Sequence, residues 1–224
     1  MATDQFGGGT TTMGGGTSTF AATSYSVNVT IERQASYNKF FAIPIVGILA
    51  RAVMLIPHLI ALYIVGAIAV LASLVLWIPV LSSGSYPPIG YTLVGGTLRW
   101  GARVMAYFYG LTDVYPPFGF GSESDGYPIN VSFDTAAGGS KLFAIPIVGY
   151  VLRAIALIPH FVVLYVIGAV VGLLQLGLWV PVLMSGNYPD VGHSFVGGYI
   201  RWSIRAYSFF LGLTDEYPPF RLGN

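Results

Sequence analysis

Two long apolar stretches dominate the chain. Residues 45–81 are apolar apart from Arg51, His58 and Ser73, and residues 147–183 repeat the pattern with Arg153, His160 and Gln175. As one helix, the 37 residues of the first stretch would reach about 55 Å at 1.5 Å per residue, against a hydrocarbon core of about 30 Å. The pattern therefore predicts a break. Pro57 and Pro159 are the natural places, because proline lacks an N–H and clashes with the preceding turn. This predicts a short interfacial or re-entrant helix over 45–56, carrying Arg51, then a transmembrane helix over 57–81. The second copy has Arg153 ahead of a span over 159–183.

Gly-, Pro- and Ser-rich turns follow, SSGSYPPIG and MSGNYPDVG. A returning helix of about 20 residues comes next in each copy, over 91–111 and 193–213, long enough to cross a bilayer. Trp77 and Trp179 fall near the ends of the first spans, where indole rings favour the membrane–water interface. Each copy opens with a strict alternation, YSVNVTIE at 25–32 and YPINVSFD at 127–134, which is the mark of a half-buried strand. Two strands are marginal alone, so a pair formed by the copies would have to pack on something larger.

An offset of 102 residues aligns the copies without a gap, and 44 of the 78 positions from Phe41 to Phe118 are identical. The expected organisation is a Gly/Thr/Ser-rich flexible tail over 1–24, membrane repeats over 25–118 and 127–224, and a polar linker over 119–126. The predicted fold is an all-α integral membrane protein with a tandem parallel repeat. Each repeat has two transmembrane helices, one short interfacial or re-entrant helix and a short N-terminal strand.

Composition supports a nonaqueous solvent, with 54% hydrophobic and 8% charged residues against about 25% charged in ordinary soluble domains. The formal net charge of +1 supplies no field for nucleic acid, and the absence of cysteine removes disulfides and thiolate chemistry. Four spans would put tail, linker and C-terminus on one side with Arg33, Lys39, Lys141 and Arg221. The positive-inside rule then predicts a multi-pass protein of the inner cell membrane with cytoplasmic termini.

The polar groups on apolar elements call for explanation. Arg99 and Arg103 share one face of the first returning helix at i, i+4, and Arg201 and Arg205 share the corresponding face of the second. No acid lies within the apolar segments. The functional reading is a positive cleft between the units that holds an anion or lipid headgroup, with Arg51 and Arg153 contributing; the bland alternative is that the arginines snorkel or bond backbone carbonyls. His58 and His160 each follow a proline. They are weak candidates for haem or pigment ligation, set against an ordinary hydrogen-bonded histidine. Asp113 and Asp215, in TDVYPPF and TDEYPPF, cap a turn or pair with a cation such as Lys39 or Arg51. Nothing resembles a nucleophile with its base, a carboxylate pair or a metal cluster, so neither enzymatic activity nor a cofactor is expected; bound phospholipid is the one candidate ligand.

The Ile-Pro-His opening, the Tyr-Pro turn, the Arg-Trp-x-x-Arg helix and the Thr-Asp-x-Tyr-Pro-Pro-Phe close occur in both units, for example as WIPVLSSGSY at 77–86 and LRWGARVMAYFYGLTDVYPPF at 98–118. This set resembles the uncharacterised bacterial membrane family named domain of unknown function 4389. The resemblance implies a small helical membrane module and imports no activity. The expected function is a non-enzymatic membrane scaffold or accessory subunit of a larger assembly, in contact with lipid headgroups, further copies of the chain or other membrane subunits. The alternative is an anion- or lipid-conducting protein lined by the arginines.

Overall fold

A computed structural model describes residues 25–121, 125–135, 139–145 and 147–223; the tail expected over 1–24 lies outside them. In chain order the main elements are β1 (Val27–Ile31), α1 (Val46–Leu76), α2 (Ile78–Ser83), α3 (Gly96–Phe108), β2 (Ile129–Phe133), α4 (Val148–Ser185) and α5 (Asp190–Phe210). Helix α1 starts abruptly. Ile45 takes φ 67° and ψ −53°, and the Val46 N–H donates to the Pro44 carbonyl at 2.7 Å, which together make a classic γ-turn, strained for a β-branched residue. Ile147 repeats the conformation before α4. The far ends are closed by Gly84 and Gly186 in the left-handed region, each donating its N–H back to the residue four earlier.

The helix does not break at Pro57 or Pro159, contrary to the sequence expectation. Helix α1 runs through Pro57, and α4 continues through both Pro159 and Pro181 for 38 residues. A proline inside a helix forfeits one backbone hydrogen bond, whereas a break would strand up to four N–H and four C=O groups among apolar side chains. Continuity is the cheaper solution, and the separate short helix over 45–56 does not exist.

The two strands pair antiparallel, with Val29 opposite Val131 and Ile31 opposite Ile129. Val29 and Val131 are equivalent residues under the 102-residue offset, so a local two-fold axis passes between them. The strands are exchanged: β1 packs on α5 of the second unit and β2 on α3 of the first. The same symmetry sets the long helices. The end of α1 reaches the start of α4, where Trp77 covers the Arg153 guanidinium, while the end of α4 reaches the segment before α1, where Met184 accepts from Lys39. The long helices therefore run in opposite directions, close to perpendicular to the two-fold.

The core lies on that axis. Val27, Val29, Ile129 and Val131 from the strands meet Ala102 and Ala106 of α3 and Ile200 and Ile204 of α5, all buried. Each such aliphatic side chain contributes about 1.5–3 kcal/mol on full burial. Trp77 and Trp179 are buried too, so they are joints between the units rather than the surface anchors expected from their positions. By contrast, α1 and α4 bury only a narrow stripe, and apolar side chains such as Leu49, Val53, Ile60, Ile64 and Leu71 of α1 are exposed around the remainder. Val46–Ser83 and Val148–Ser185 are the two helices, among the described residues, long and apolar enough to cross a membrane.

Candidate functional site

The arginine spacing has a direct structural use. Four residues of helix advance about 6 Å, and two residues of strand advance about 6.6 Å, so arginines at i, i+4 can reach alternate carbonyls of a strand lying along the helix. The Arg99 Nε–H donates to the Val131 carbonyl at 2.9 Å and that of Arg103 to Ile129 at 3.1 Å. In the second unit Arg201 donates to Val29 at 3.1 Å and Arg205 to Val27 at 3.5 Å. Each pair thus clamps the outer edge of the strand contributed by the other unit. The four arginines lie at the junction of the units, where each pair closes over a strand.

Arg99, Arg103 and Arg205 place further donors as well. Arg103 forms a two-pronged ion pair with Asp125, at 2.7 and 2.9 Å, under the Tyr127 ring. This counter-charge comes from the stretch read as a linker, and nothing in the helix pattern pointed to it. Arg99 also reaches the Gly121 carbonyl at 3.2 Å, and Arg205 the Gly223 carbonyl at 2.9 Å. Tyr25, stacked near Arg205, donates its hydroxyl to the Glu216 carbonyl. Burial, helped by the Glu216 charge, pushes its phenol well above the ordinary range, so it remains a neutral donor.

Arg51 and Arg153 stand apart from this ladder, at opposite ends of the molecule. Arg51 is buried, pairs with Asp113, donates to the Tyr107 and Thr112 carbonyls at 2.6 and 2.9 Å, and lies between the Phe41 and Tyr107 rings. Arg153 does the same with Asp215, Phe209 and Thr214. Of the two partners proposed from sequence for Asp113, Arg51 is the one observed. Each pair ties the start of a long helix to the Thr-Asp turn, which explains why the motif closes with that dipeptide.

The histidines are built into aromatic boxes. The Trp100 indole N–H donates to His58 Nδ1 at 2.9 Å, and the imidazole stacks on Phe118 with ring centroids 3.9 Å apart. Trp202, His160 and Phe220 repeat this at 2.8 and 3.8 Å. Indole is a donor only, so Nδ1 must present its lone pair to it, and the proton resides on Nε2, which is buried without a partner among the described residues. The lone pair that would bind a metal is thereby committed to tryptophan, and the two histidines occupy separate boxes in separate units. Sequence inspection missed Trp100 and Phe118 as their partners; the recurrence of His, Trp and Phe in both copies was the available signal.

An open groove of about 670 Å³ borders Arg201, with Asp190, Val191, Ser194, Phe195 and Leu222 along it; Asp190 pairs with Arg33. The corresponding space beside Arg99 is about 280 Å³, with Phe120 where the Arg201 groove has Leu222. The Arg201 groove combines a guanidinium, a hydroxyl, the Arg33-paired carboxylate of Asp190 and apolar walls.

The sequence profile of "Domain of unknown function (DUF4389)" matches residues 46–119 and again residues 148–221. No curated protein and no solved structure matches the chain.

Proposed function

We propose that this chain, which belongs to the DUF4389 family through both of its halves, is a non-enzymatic scaffold of a lipid membrane, with its long helices immersed in hydrocarbon and its strand face at the headgroup layer. One observation carries the reading: both long helices expose apolar side chains on every side that the protein does not cover, Leu71 at 64% and Leu173 at 73% among them. Water-soluble monomers seldom expose continuous apolar patches beyond a few hundred Å², and a helix apolar all round is a helix meant for lipid or a large core. The Arg201 groove suits contact with a headgroup, since it offers a planar donor for phosphate beside apolar walls for the upper acyl chain, and its one carboxylate, Asp190, is neutralised by Arg33. A conducting pathway lined by the arginines draws no support from the geometry, because each pair closes over a strand edge through its Nε–H groups.

The test is extraction. The expressed chain should stay with the membrane in alkaline carbonate and leave it in mild detergent; recovery in the carbonate supernatant would overturn the membrane reading. Crosslinking in native membranes should then give a defined species larger than the monomer, whereas a monomer alone would remove the scaffold role.

A further inference from the structure

We infer that the molecule sits in a single leaflet, with its two-fold axis along the membrane normal and its long helices lying in the plane of the bilayer. This rests on the membrane reading above. The long helices run in opposite directions across the axis, so they can cross the bilayer only if the axis lies in the membrane plane. With the axis along the normal they lie flat.

The strand pair decides between them. It sits on the axis, and Asn28 and Thr30, each one residue from the central Val29–Val131 pair, are exposed. Crossing helices would place that polar face at the middle of the hydrocarbon, where an open two-stranded sheet has no water to satisfy it. The charges agree. Glu32 and Asp134 end the strands, Asp125 pairs with Arg103, and Glu216 accepts from the Ser26 N–H beside β1; all belong to the strand face. Helix length agrees as well. The stretch 154–183 of the uninterrupted α4 carries no charge and spans about 45 Å at 1.5 Å per residue. Fitting this within about 30 Å would need a tilt of about 48°, beyond the usual range of about 0–40°. Lying flat carries no such mismatch, because a helix of about 10–12 Å diameter fits within one leaflet. In this placement the arginine-clamped strands stand at headgroup level over a layer of helices.

The two placements differ in sidedness. Ser85 and Asn187 are equivalent exposed positions at the two hairpin tips, at opposite ends of the molecule, and the chain has no native cysteine. Single Ser85→Cys, Asn187→Cys and Thr30→Cys variants, in right-side-out and inverted vesicles, are treated with a membrane-impermeant maleimide. All three should react from one and the same side. Reaction of Ser85→Cys and Asn187→Cys from opposite sides would overturn the placement and establish crossing helices. Carbonate resistance of the same variants separates the two hypotheses, since release into the supernatant sinks the membrane reading itself.

Discussion

Replacing Arg51 with methionine tests the architecture most sharply, because the side chain joins the start of α1 to the Thr-Asp turn with almost no water. Its side chain is 3% exposed and that of Asp113 is 15% exposed, so solvent screens the guanidinium little and the carboxylate somewhat more. Methionine keeps the packing between Phe41 and Tyr107 but removes the ion pair and leaves the Tyr107 and Thr112 carbonyls without their donor. Breaking a buried pair from one side costs about 3–5 kcal/mol. The partial exposure of Asp113 places the expectation at the lower end, about 3 kcal/mol, or roughly a hundredfold in the folding equilibrium at about 1.4 kcal/mol per decade. Reversible unfolding in mixed micelles, followed by tryptophan emission, measures it. Arg153→Met should lose a similar amount, and the double variant should be close to additive because the two pairs share no partner. Adding Asp113→Leu to Arg51→Met should recover part of the loss, since no buried charge is then left unpaired. An Arg51→Met variant as stable as one altered at the exposed Lys39 would refute the reasoning.

Trp100→Phe should cost about 1–3 kcal/mol by leaving buried His58 Nδ1 without its donor, and the same change should cost little in a His58→Phe background; equal losses in both would disprove the box. Gly212→Ala should unfold the joint, because a Cβ there falls inside the Trp77 indole at a φ of +80°, whereas Gly66→Ala meets nothing and should gain up to about 1 kcal/mol. Thermal melts of the two variants report the contrast. Burial raises the phenols of Tyr25 and Tyr188, both outside the long helices, so the folded state favours their neutral forms. That stability is complete below the unfolded pKa of about 10 and is lost as pH rises beyond it. Unfolding midpoints should therefore be flat in their tyrosine contribution to about pH 9 and fall above pH 10, more steeply than in a Tyr25→Phe, Tyr188→Phe variant.

Much of this molecule was legible along the chain. The 102-residue repeat, the alternation at 27–31 and 129–133, and the apolar stretches follow from local rules of periodicity and solvent transfer, which need no knowledge of the other half. The arginine pairs at i, i+4 announced a shared face, and the Thr-Asp close announced a polar terminus, although neither named its partner unambiguously. Continuity through Pro57 is not legible locally, because the steric rule for proline carries no term for the cost of stranding backbone groups among apolar side chains.

What only the tertiary structure decided is which equivalent element meets which. Two nearly identical strands and two nearly identical helices allow either pairing, and periodicity cannot tell a unit that keeps its own strand from one that exchanges it. Exchange is seen in the arginine contacts, where Arg201 reaches the Val29 carbonyl and Arg99 the Val131 carbonyl, so that each strand lies along the other unit's helix. The partners that give chemistry to Arg103 and His58, namely Asp125 and Trp100, stand 22 and 42 residues away. Contacts at such separations are products of packing, and sequence spacing carries no record of them.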